Sequence, residues 1–146
     1  MSQENLLILK EGLQELQQAS EWLAHSYSLC KDITISREMP IESLDKLEAL
    51  TSRFARLTDL LVSKVFRSID ILELEYGGSL IDVVNRAAKR GIVDSVEKVR
   101  DLKDLRNQIA HEYAKTDLSR IFQESLLKSS YLLDLCAKTA HYCKRF

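Results

Sequence analysis

The sequence predicts an all-α fold, an antiparallel up-and-down bundle of four long helices plus one short helix, and three observations carry that prediction. Helix breakers are scarce, with one proline (Pro40) and four glycines in 146 residues. Apolar residues recur at threes and fours along most of the chain, the period of a helix with one buried face. No alternating strand pattern, linker, repeat or low-complexity tract interrupts them. One domain spanning residues 1–146 is long enough to bury a real core.

The first helix is expected from about Gln3 to Leu29, with Leu6, Leu9, Leu13, Leu16, Leu23 and Cys30 on its apolar stripe. Thr34, Ser36 and Met39-Pro40 mark a break, because a residue preceding proline is pushed out of helical geometry. A second helix follows to about Leu74, facing inward through Leu44, Leu47, Leu50, Phe54, Leu57, Leu61 and Val65, and Gly77-Gly78 ends it. Ser79 caps a short third helix from Leu80 to about Lys89, closed by Gly91 where a left-handed residue is wanted. Asp94 and Glu97 have the spacing of an N-terminal capping arrangement and open the fourth helix, which runs to about Tyr113. Thr116 or Asp117 caps the last helix, whose core candidates are Leu118, Ile121, Phe122, Leu126, Leu133 and Cys136. Short connections favour antiparallel neighbours, and the long first, second and last helices have stripes wide enough to cover both a core and a second copy of the chain.

Bulk properties narrow the function classes. No apolar run approaches the roughly 20 residues that span a bilayer, and the amino terminus lacks the basic start and apolar stretch of a secretion signal, so a cytoplasmic protein with no membrane partner is expected. Cys30, Cys136 and Cys143 are odd in number and lack C-x-x-C spacing, which predicts reduced, buried thiols rather than a metal site or disulfide framework. No metal and no cofactor is expected. The net charge of −1 excludes a generic polyanion binder. Its distribution is uneven: residues 1–50 carry nine acids and four bases, whereas 51–146 carry seventeen bases and thirteen acids, −5 against +4. Arg86, Lys89, Arg90, Lys98, Arg100 and Lys103 lead up to Arg106, interleaved with Asp94, Glu97, Asp101 and Asp104, a balance compatible with a phosphate-bearing ligand.

The segment Arg106-Asn107-Gln108-Ile109-Ala110-His111-Glu112-Tyr113 crowds an arginine, an amide, a histidine and a tyrosine into eight residues. At about 100° per residue, Arg106 and Tyr113 lie about 20° apart around the helix and Asn107 and His111 about 40° apart. Arg106 and His111 are separated by about 140°. One small ligand is then reached by both only if the long arginine swings across or a second copy of the helix supplies the missing group, which points to a site shared across a dimer axis. Leu102, Leu105 and Ile109 would anchor the opposite side to the core.

These residue types suit RNA cleavage without a metal. An imidazole with an ordinary pKa near 6.5 takes or gives a proton near neutrality, activating a ribose 2′-hydroxyl or protonating the leaving 5′-oxygen. A guanidinium is always charged and its fixed donors match phosphate oxygens. Asn107 would orient the imidazole or bond the phosphate, and two His111 side chains in a dimer would divide the acid and base roles. Taken singly, each residue has a structural alternative: Arg106 pairing with Asp101 or Glu112, His111 as a structural histidine, Tyr113 as a half-buried aromatic. His25, beside Trp22, is expected at a packed or surface position. The tail His141-Tyr142-Cys143-Lys144-Arg145-Phe146 is expected to fray. Trp22, Tyr27, Tyr76, Tyr131 and Tyr142 are expected as core or rim aromatics.

The R-x4-H-x-Y pattern, with asparagine after the arginine, resembles the signature of the HEPN superfamily, in particular the HepT-type ribonuclease toxins of prokaryotic toxin–antitoxin pairs. The specific match covers about Leu105 to Asp117. The resemblance implies a helical bundle that dimerises so that these segments meet in a cleft between subunits. It implies a metal-independent endoribonuclease acting on tRNA or mRNA and leaving a 2′,3′-cyclic phosphate, with Arg106 and His111 as the catalytic pair and Asn107 at the supporting polar position. It also implies a partner, a minimal nucleotidyltransferase antitoxin that neutralises the toxin by adding AMP to the motif tyrosine, here Tyr113. Two other readings remain open at this point: a non-catalytic nucleotide- or substrate-binding subunit of a nucleotidyltransferase, and a helical interaction module in which the motif only packs.

Overall fold

In the computed structural model, residues 2–75, 77–111 and 118–146 are described. Helix α1 spans Gln3–Cys30, α2 Ile41–Asp59, a π-helical segment Leu60–Val65, α3 Phe66–Leu72, α4 Leu80–Lys89, α5 Val96–His111 and α6 Leu118–Cys143. The described residues contain no strand. The backbone stays right-handed through Leu60, Val65 and Phe66, so α2, the π segment and α3 form one continuous rod. Against this rod pack α1, α4, α5 and α6, and α6 also touches α1 and α5.

Helix α1 starts on Ser2, whose hydroxyl accepts the Asn5 N–H at 3.3 Å. Its buried face is a seven-residue repeat of Leu9, Leu16, Leu23 and Cys30 alternating with Gly12, Ala19 and Ser26. The small residues replace the expected Leu6 and Leu13, which are only half-buried. They let the rod approach closely: a methyl built on Gly12 would lie 3.6 Å from Val65. Arg53 reinforces the seam by donating to the Trp22 carbonyl at 3.2 Å and to Ser26 at 2.8 Å.

The π segment follows from the spacing of buried residues. Leu57, Leu61, Val65 and Ile69 advance by fours, and all are fully buried. In an α-helix each such step overshoots a turn by about 40°, so three steps would carry Ile69 about 120° off the core face. The wider π turn underwinds the rod and cancels that drift. The expected second helix is thus interrupted in its winding but not in its course, and it ends at Leu72 rather than Leu74. Leu74 itself takes a left-handed conformation, φ 60°, with Glu75 N–H returning to the Asp70 carbonyl at 2.8 Å. This is a Schellman closure with a leucine where glycine is favoured.

Two caps behave as expected and one does not. Ser79 opens α4, donating through both its N–H and its hydroxyl to Asp82. Gly91, φ 82°, closes it, with Gly91 N–H to the Ala88 carbonyl and Ile92 N–H to that of Ala87. At α5 the cap is Ser95, whose hydroxyl accepts the Lys98 N–H at 3.2 Å, not Asp94. Asp94 instead accepts the Tyr131 hydroxyl of α6 at 3.0 Å, a longer-range partner that outcompetes the local cap. Thr116 and Asp117 lie outside the described residues.

The carboxyl terminus does not fray. Tyr142 and Cys143 fall on the buried face of α6, and the Tyr142 hydroxyl hydrogen-bonds Glu73. Arg145 stacks over the Tyr142 ring at 3.6 Å. Behind them, Asp70 is held by Arg90 at 2.6 Å and Arg86 at 3.0 Å, and Arg90 also reaches Glu73 at 3.1 Å. This buried charge network ties α3, α4 and α6 together. Cys30, Cys136 and Cys143 are free, buried thiols, and burial raises all three; Cys136 reaches about 12 and Cys143 about 11. Thiols held neutral in this way are poor nucleophiles.

Candidate active site

Helix α5 rests on the core through Val99, Leu102 and Leu105, all buried, and through half-buried Ile109. Those positions fix which side of the helix turns outward. Asn107 and His111 are exposed on it, one turn apart, and Arg106 is partly covered. Tyr113, the expected site of adenylylation, lies outside the described residues, as does Glu112.

Among the described residues Arg106 pairs not with Asp101 but with Asp59, the last α-helical residue of α2 before the π segment. Its Nε lies 2.8 Å from Oδ1 and 2.9 Å from Oδ2. Lys103, one turn earlier on α5, reaches the same carboxylate at 3.1 Å. Two cations therefore share one acid, leaving a local positive excess. The guanidinium spends its Nε edge on Asp59, and Nη1 makes one long contact, 3.4 Å, with the Asn107 Oδ1. Among the described residues nothing accepts from Nη2, and His111 makes no hydrogen bond or ion pair.

Helix α5 also divides two grooves. On one side, Arg106, Ile109 and Ala110 face Glu48, Thr51, Ser52 and Ala55 of α2 across a groove of about 410 Å³. On the other, Asn107 belongs to a cleft of about 330 Å³ whose floor is Val62, Val84 and Val99. Of the three described expected residues, Arg106 and Asn107 touch at the ridge. His111 lies one turn above Asn107 but about 140° around the helix from Arg106, with no hydrogen bond to either among the described residues. No group of three or more metal-ligating side chains occurs among the described residues, and none of the described helices is long and apolar enough to cross a membrane.

Sequence reasoning missed Asp59 and the cleft floor, and counted Lys103 only among the bases leading up to Arg106. A weak signal existed for Asp59, a carboxylate inside the apolar run Leu57-Thr58-Asp59-Leu60-Leu61-Val62. An acid there needs a cation from a neighbouring helix.

No protein-family model, no curated protein and no solved structure matches the chain.

Proposed function

We propose that the chain is a metal-independent endoribonuclease of the HEPN type, the toxin of a pair with a minimal nucleotidyltransferase, acting as a homodimer on tRNA or mRNA. The observation that carries the reading is the Arg106–Asp59 clamp. A guanidinium gripped along its Nε edge presents its Nη edge in a fixed direction, the preorganised donor that a phosphodiester needs. Lys103 adds positive potential beside it. Exposed His111 follows five residues on, with Asn107 one turn below it.

The chemistry then proceeds by transesterification. One His111 imidazole accepts the 2′-hydroxyl proton as the 2′-oxygen bonds to phosphorus. The P–O5′ bond breaks, and a second His111, as imidazolium, protonates the departing 5′-oxygen, leaving a 2′,3′-cyclic phosphate. Arg106 balances charge on the non-bridging oxygens. Up-and-down packing with α5 helices facing each other across a two-fold axis brings an arginine and a histidine from opposite protomers to one phosphate, which a single α5 does not do. AMP on Tyr113, seven residues from Arg106 and on the same edge of an extended helix, would place negative charge where the RNA backbone belongs.

The test is cleavage of tRNA and mRNA pools by purified protein in EDTA, with end-group analysis. Cyclic phosphate ends are expected, with activity lost in both His111→Ala and Arg106→Ala. Undiminished cleavage by either variant removes the site assignment. Absence of cleavage together with nucleotide binding favours the non-catalytic binding subunit. Co-expression with a nucleotidyltransferase should add the mass of AMP at Tyr113 and silence the activity.

A further inference from the structure

The cleft on the Asn107 side of α5 contains side chains that the transesterification does not use, besides Lys103 and Asn107. Its floor is aliphatic: Val62 from the π segment, Val84 from α4 and Val99 from α5 are each no more than 2 % exposed. Its rim is polar, with Arg100, Lys103, Asp104 and Asn107 along α5. Arg100 and Asp104 make no hydrogen bond or ion pair with another described residue, and the Asn107 amide nitrogen has no acceptor among them. At about 330 Å³ the space is at the small end for ligand pockets, enough for one ring system and not for a folded chain. It adjoins the clamp, since the Asn107 Oδ1 is the atom that meets Arg106.

We infer that this cleft binds the nucleobase flanking the scissile phosphate and selects a base with an exocyclic amine over uracil. The inference rests on the ribonuclease reading above. Single-stranded RNA offers what the cleft lacks: a flat ring whose faces are apolar, an edge of donors and acceptors, and a phosphate close by. Enzymes that read an extruded base hold it between apolar side chains and bond its edge. Asp104 is exposed and an acceptor only, so a base that bonds to it must present an N–H. Adenine, cytosine and guanine each present an amine, whereas uracil offers the carboxylate only its ring N3–H, flanked by two carbonyl oxygens that the carboxylate repels. The Asn107 amide nitrogen, its oxygen turned to Arg106, donates to an acceptor on the same edge, as adenine N7 beside its amine provides. Arg100 at the mouth meets the next phosphate.

Methyl NMR of the intact protein tests this without requiring turnover. AMP should shift the methyls of Val62, Val84 and Val99 at concentrations at least about tenfold below those at which UMP does so. Asp104→Asn should narrow that discrimination about tenfold. Ile81→Trp, a rim position 37 % exposed, should abolish the shifts while the spectrum stays dispersed. In parallel, RNAs differing only at the flanking base should be cut by wild type with the same preference, flattened in Asp104→Asn. His111-dependent cleavage that ignores base identity, with no valine shifts, overturns the pocket. AMP-selective shifts that Asp104→Asn weakens, without cleavage of any RNA, sink the ribonuclease reading and uphold the ligand class of the cleft.

Discussion

Arg106 of α5 and Asp59 of α2 meet side-on, with the guanidinium Nε within 3 Å of both carboxylate oxygens, 2.8 and 2.9 Å. The residues stand 47 positions apart in the chain, and their pairing sets the direction of the arginine. If that direction matters to catalysis, Asp59 is a positioning residue. Asp59→Ala should lower kcat on RNA by about 10- to 100-fold with KM little changed, since misplacement by about 1 Å costs about that much. Arg106→Lys should fail to restore activity because an ammonium lacks the second edge. A kcat for Asp59→Ala equal to wild type would show that the clamp is structural only.

Leucine at position 74 is held at φ 60°, where a side chain on Cβ crowds the backbone, and it is 76 % exposed, so little burial compensates. Leu74→Gly should therefore raise the unfolding free energy by about 1 kcal/mol, read from the urea midpoint at unchanged slope. A drop in stability would mean that the leucine contributes a contact worth more than the strain.

Asp70 is almost fully buried between Arg86 and Arg90. Asp70→Ala leaves two guanidinium groups without their shared acid, and such losses cost about 3–5 kcal/mol. Equilibrium denaturation should report a fall of that order. The midpoint is expected to recover in part when Arg86→Met is combined with it, because one of the orphaned charges is then gone.

The Glu73 carboxyl feels burial first, which raises its pKa, but hydrogen bonds from Tyr142 and Arg90 outweigh that and hold it below the ordinary 4.5. Asp94, bonded by Tyr131, likewise sits below 3.8. A carboxylate whose folded pKa is depressed stabilises the fold above its unfolded pKa and loses that contribution as pH falls through the folded value. Thermal stability should thus decline once pH drops under 4.5 and continue to fall beyond 3.8. Tyr142→Phe should cost about 2 kcal/mol at neutral pH, as for a hydrogen bond to a charged group. The gap should close in acid as Glu73 protonates; a gap independent of pH would assign the loss to packing.

Helix positions and breaks were legible because apolar period and capping residues are local signals. Pro40, Ser79 and Gly91 each stand where the backbone requires them. What was hidden depended on partners. The role of Gly12, Ala19 and Ser26 emerges only when the rod lies against α1, since small residues register as absence of hydrophobicity. Asp94 and Ser95 are equally good caps on paper, and Tyr131 decides between them. The tail was expected to fray as a chain terminus, but two residues of its six, Tyr142 and Cys143, fall on the buried side of α6. At the candidate site, the placement of Arg106, Asn107 and His111 on one helix was readable from their spacing. Asp59 was not, because nothing in a linear reading joins the end of α2 to α5.

The rod at the centre of the fold ties its winding to the number of residues it contains. Its upstream half presents Asp59 to Arg106, and its downstream half presents Ile69 and Leu72 to the interior. The two halves are keyed to each other through the count of residues between them. Ordinary winding of positions 60–65 at unchanged length would turn one half by about 120° against the other, whereas deleting one of them as well would bring the halves back to within about 20°. An added residue, turning them by about 100°, would leave the chain either its interior or its grip on the arginine, so insertions here should be tolerated less than single deletions.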